Sequence, residues 1–131
     1  MADVLSERRR ERERLIELAR SYVAGLHKRV PVAAAAVVGS VARGDFNVWS
    51  DVDVVVVAEP LPARSPERSG LLLEDAPAGV QPVGFTPQEF EYAWQAGNPL
   101  VREAAELGVV LAGKDFLAGY EPRPTHSSPP S

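Results

Sequence analysis

The chain contains no cysteine, which excludes a disulfide framework, a thiolate zinc site and a cysteine nucleophile. Histidine is nearly as scarce. His27 and His126 are too few for a histidine-based hydrolase or a zinc centre. No apolar run is long enough to span a bilayer, the longest lying around Val30 to Val41. Met1 to Arg14 is charged and does not read as a secretory signal. An excess of positive charge is also missing. With 14 Lys and Arg against 18 Asp and Glu, the formal charge is −4, so nucleic acid and acidic membranes are not expected partners. A soluble cytoplasmic protein is the expectation. What is present is a chain of 131 residues, 45% of them apolar, which suits one compact domain with a real core.

Ser6 to roughly Lys28 reads as a helix. Leu15, Ile16, Leu18, Ala19, Tyr22, Val23 and Leu26 recur on one face. The mixed-sign run Glu7 to Arg14 ahead of them reads as a solvated face with opposite charges three and four apart. Pro31 ends this element. Val32 to Val38 reads as a strand, and Val52 to Ala58, almost wholly β-branched, as a buried central strand. Between them lies a mixed polar stretch, Val41 to Ser50. Ser65-Pro66 opens a short helix to about Glu74, with Ser65 as its cap. Asp75 to Gly79 is a turn. Val80 to Phe85 is a third strand, placed at a sheet edge because Pro82 cannot donate to a ladder. Thr86-Pro87-Gln88-Glu89 has capping-box spacing, and Asn98-Pro99 opens a further helix that ends near Gly108. Val109 to Ala112 is a short last strand. Residues 1–118 thus read as one small α/β (α+β) domain, and the Pro- and Ser-rich residues 119–131 as a flexible tail.

The chemistry concentrates between the first two strands. Asp51 and Asp53, two apart on a strand, point to one face at the mouth of the most hydrophobic strand. Two carboxylates there repel each other, and burying an unpaired charge is costly. Magnesium resolves both problems, because it commonly takes one or two carboxylates plus substrate phosphates. Exposure at the strand end, or pairing to an arginine such as Arg43, is the plainer alternative. Gly39-Ser40 closes the preceding strand. A glycine there lets a phosphate approach the backbone, where amides and a hydroxyl can donate to it. An ordinary turn explains Gly-Ser equally well. Arg43 reads as a phosphate clamp or a surface ion pair, and Ser50 as a turn cap that orients Asp51. Phe46 and Trp49 read as core cover before base-stacking groups.

Order and spacing make the combination more specific than its parts. The segment GSVARGDFNVWSDVDVVVV, Gly39 to Val57, resembles the nucleotidyltransferases of the DNA polymerase β superfamily, in particular the minimal, stand-alone ones. The resemblance implies a small mixed sheet backed by helices. It implies Gly39 and Ser40 on the β- and γ-phosphates and Asp51 and Asp53 as both catalytic residues and magnesium ligands. The expected reaction moves a nucleoside monophosphate, AMP from ATP, to an acceptor hydroxyl. Because domains of this kind work beside a small helical HEPN protein, it also implies an antitoxin-type role with the acceptor on that partner. One departure stands out. The family's third carboxylate belongs on the third strand, and Val80 to Phe85 holds Gln81 instead of an acid. Glu74, Asp75, Glu89 and Glu91 are the nearest acids. A catalytically silent nucleotide-binding or partner-docking module is therefore the alternative, ahead of an antibiotic-modifying enzyme, which would need an additional helical domain.

Overall fold

The computed structural model describes residues 3–47 and 50–120. Trp49, His126 and the segment 121–131 lie outside them. Ten elements follow one another: α1 (Asp3–His27), β1 (Val32–Val38), α2 (Gly39–Arg43), β2 (Val52–Ala58), α3 (Ser65–Leu73), β3 (Val80–Phe85), α4 (Pro87–Gln95), α5 (Pro99–Glu106), β4 (Val109–Ala112) and α6 (Lys114–Ala118). No helix among the described residues is long and apolar enough to cross a membrane.

The strands form one mixed sheet in the order β3-β2-β1-β4. β1 runs antiparallel to both β2 and β4, whereas β2 and β3 are parallel. Pro82 thus lies on an edge strand, where its missing N–H is tolerated. Both faces of β2 are covered. Val52, Val54 and Val56 pack with α1 through Leu15, Ala19, Tyr22 and Leu26. Val55 and Val57 pack on the opposite face with Phe90 of α4, Val101 and Ala104 of α5 and Leu117 of α6. A strand buried on both sides reads as a continuous apolar run instead of an alternating one, and this is why β2 is nearly all valine.

Turn and cap chemistry set most of the helix starts. Thr86 and Glu89 form the reciprocal capping box, and the Asn98 side chain accepts from the amides of Leu100 and Val101. The start of α3 differs from expectation. Ser65 is already helical, the cap position belongs to Arg64, and no side chain caps it. Two short helices, α2 and α6, occupy stretches that carry no helical periodicity of their own. Tyr120, assigned to the tail by composition, packs its ring against Phe90, Trp94 and Phe116 and donates to Glu91 at 2.7 Å.

Tyr22 ties α1 to the end of α3. Its buried hydroxyl donates to the Leu72 carbonyl at 2.6 Å, and burial pushes its own ionisation up to about 12. Tyr22→Phe leaves that carbonyl without its partner. It is expected to cost about 1–3 kcal/mol in denaturant melts.

Candidate active site

The end of β1 and the start of β2 lie side by side, with Val38 opposite Asp53 in the antiparallel register. The residue after Val38 is therefore held next to the Asp53 side chain. Gly39 has φ +76°, in the left-handed region, and a Cβ there would stand 2.6 Å from the Asp53 Oδ2. Only glycine satisfies both the torsion and the close approach. From Gly39 the chain turns at once into α2, which ends at Gly44 with a second left-handed torsion, φ +89°.

Odd positions of β2 point to the face covered by α4, α5 and α6, because Val55 and Val57 are packed there. Asp51 and Asp53 share that face. The α5 helix brings a third acid, Glu103, whose Oε2 accepts the Gly39 N–H at 2.8 Å. Arg43 lies between carboxylates, 3.5 Å from Glu103 and 3.4 Å from Asp45. On the other side, β3 places Gln81 opposite Asp53 in the parallel register, and the Gln81 Nε2 donates to Asp51 Oδ2 at 3.3 Å.

This arrangement raises the Asp53 carboxyl above the usual carboxylate range. Burial is the largest cause, followed by the charges of Asp51 and Glu103, with Arg43 opposing them. Among the described residues no group of three or more His, Asp or Glu side chains could hold a metal ion alone. The donors fit the kind of magnesium site that takes two carboxylates and completes its shell with substrate phosphates and water. The repulsion already felt at Asp53 is what a cation between the two aspartates would relieve.

The structure gathers Gly39, Ser40, Arg43, Asp51 and Asp53 at one end of the sheet. Ser50 is engaged in the turn before β2, where its hydroxyl accepts from the Asn47 N–H at 2.9 Å. The other acids near the third strand are committed elsewhere. Glu74 and Asp75 pair with Arg29. Glu89 closes the capping box and binds Arg68 through both oxygens, and Glu91 takes Gln95 and Tyr120. The Arg68 hydrogen bond is the main reason Glu89 ionises below the usual range. A cavity of about 640 Å³ lies beside Gly84, Phe85 and Tyr92, at the end of β3 away from Asp51 and Asp53.

Two features were not visible in the sequence pattern. One is Glu103, separated from Gly39 by 64 residues. The other is a clasp from α1. Arg12 donates to the carbonyls of Val41 and Ala42, both at 2.8 Å, and Arg8 donates to the carbonyls of Gly44 and Phe46. These groups satisfy carbonyls at the end of α2, which is too short to satisfy them itself. The Arg8 guanidinium also lies 4.9 Å from the centre of the Phe46 ring, and Phe46 is buried as core cover. The charged run of α1 is thus more than a solvated face.

Residues 19–99 match the family model described as the nucleotidyltransferase domain. The chain belongs to that family. The match begins within α1 and ends at the first residue of α5, so it includes Gly39, Ser40, Asp51, Asp53 and Gln81 but not Glu103, Arg8 or Arg12. Among solved structures, the nucleotidyltransferase domain is similar to a protein of Sulfolobus solfataricus assigned as a nucleotidyltransferase, whose crystal structure was determined at 1.40 Å resolution. The TM-score is 0.58 and the identity 21%, over 65% of this chain and 78% of that one, a likeness of fold. No curated protein matches the chain.

Proposed function

We propose that this nucleotidyltransferase domain moves AMP from ATP to a hydroxyl on a partner protein. In this reading Asp51 and Asp53 hold magnesium and the Gly39-Ser40 turn holds the phosphates. The observation that supports it is the close approach of the Asp53 carboxylate to the Gly39 backbone, where a Cβ would stand 2.6 Å from Oδ2. The Gly39 amide and the Ser40 hydroxyl are donors for phosphate oxygens, and Arg43 is a half-exposed cation beside them. Magnesium, when bound, neutralises charge on the triphosphate as pyrophosphate departs. In the transfer, the bond from the α-phosphorus to pyrophosphate breaks and one to the acceptor oxygen forms, while the hydroxyl proton passes to solvent. Gln81 can orient that hydroxyl through its amide but takes no proton. In this reading the acceptor is carried by another protein, such as a small helical HEPN-type partner in an antitoxin-type pair.

Gln81 also supports a second reading, in which the domain binds nucleotide and docks on a partner without turnover. Incubation with α-labelled ATP, magnesium and the helical partner separates the two. The transfer reading expects label on the partner, with none when magnesium is omitted. Partner binding without label would leave the docking module. Failure of ATP to bind in the presence of magnesium would remove both.

A further inference from the structure

The amide assigned to a phosphate in the nucleotide-site reading already has an acceptor. Glu103 Oε2 lies 2.8 Å from the Gly39 nitrogen, and the same oxygen is 3.5 Å from the Arg43 guanidinium. A carboxylate and a phosphate oxygen ask for the same partners, an N–H and a guanidinium. One amide hydrogen shared between two anions serves each poorly, and the anions repel each other. The position of Glu103 is firmly set. Asn98 caps the start of α5, and Val101 and Ala104 are buried against the sheet. Gly108 follows, where a Cβ would come within 2.9 Å of the Ala104 carbonyl and 3.0 Å of the Val37 carbonyl. The missing Cβ lets the end of α5 close down on β1, which carries Glu103 to the end of that strand. The Glu103 side chain is 21% exposed, so it is in contact with solvent and can leave by rotating its own torsions.

We infer that Glu103 is a built-in competitor for phosphate: a nucleotide enters only by displacing its carboxylate from the Gly39 amide and Arg43, and Glu103 thereby sets the affinity of the site. This inference rests on the nucleotide-site reading. It concerns a residue beyond the stretch matched by the family model. The effect is electrostatic as well as steric, because an incoming triphosphate meets a third negative charge beside Asp51 and Asp53.

Calorimetric titration of wild type, Glu103→Gln, Glu103→Ala and Glu106→Gln tests it, with magnesium-ATP and inorganic tripolyphosphate as probes. Glutamine keeps an acceptor for Gly39 but removes the charge. Alanine removes both. Glu106→Gln makes the same charge change on the same helix, at a residue that pairs with Arg102. Both Glu103 variants are expected to bind both probes more tightly, on the order of tenfold, and Glu106→Gln to bind like wild type. In nitrogen-15 spectra of the wild type, tripolyphosphate should shift the Gly39 amide resonance. If wild type binds and neither Glu103 variant binds more tightly, or if Glu106→Gln gains as much, the competitor role is overturned while the nucleotide site stands. If no protein of the series binds either probe, the nucleotide-site reading fails and this inference fails with it.

Discussion

Asp53→Asn is expected to lower nucleotidyl transfer by about a hundredfold or more, while the variant melts at a higher temperature than wild type at neutral pH. The loss of transfer would follow from removing one of the two carboxylates proposed to hold magnesium. The gain in stability follows from the Asp53 carboxyl lying above its ordinary range, through burial first and then the charges of Asp51 and Glu103. A carboxyl with a higher pKa folded than unfolded gives a folded state that binds more protons in the window between the two values. Stability therefore falls as pH rises through that window, and the deficit persists above it. Asparagine carries no charge and has no such deficit. The advantage of the variant should be full at neutral pH and shrink as the pH falls through the carboxylate range. Melting curves over that range, run beside transfer assays, check both parts. A variant that melts below wild type at neutral pH would contradict the electrostatic account, and one that still transfers would remove Asp53 from the metal site.

Gly39→Ala should be the second severe change. Its left-handed torsion costs an alanine roughly 1–2 kcal/mol. Its new methyl would also meet Asp53 Oδ2 at 2.6 Å, so the carboxylate or the strand end must move. Gly44→Ala provides the comparison. Gly44 has φ +89°, and a Cβ there meets nothing within 4 Å. It incurs the torsional cost alone. Both variants should lose stability in urea titrations, with the larger loss at Gly39. Only Gly39→Ala should abolish nucleotide binding by calorimetry. Equal binding by the two would mean that the contact with Asp53 is not what makes Gly39 necessary.

The elements that the sequence announced are those with local causes. β2 was legible because double burial demands a β-branched run, here Val54 to Val57 after Val52 and Asp53, and its span agrees with the structure. β3 was legible as an edge because Pro82 cannot donate, and α4 because Thr86 and Glu89 cap each other across three residues. The aspartates were legible because a strand repeats every two residues. The α2 helix was not, since Gly39 to Arg43 gives a single turn no periodicity to display. Glu103 was hidden for a different reason. Its partner is an amide 64 positions away, and nothing within α5 marks one of its two acids, Glu103 and Glu106, as special. The same holds for Arg8 and Arg12, whose acceptors are backbone carbonyls without any side-chain signature.

The clasp from α1 also changes how its charged stretch should be understood. Arg8, Arg9, Arg10, Arg12 and Arg14 look interchangeable by composition. They are not, because successive residues turn about 100° around a helix axis. Arg8 and Arg12, four apart, reach one side together and meet the end of α2. Arg14 faces Glu11 instead. A scrambled version of this run, identical in charge and amino-acid content, would lose the contact. The grammar of the segment is positional, and its apparent redundancy is confined to the letters.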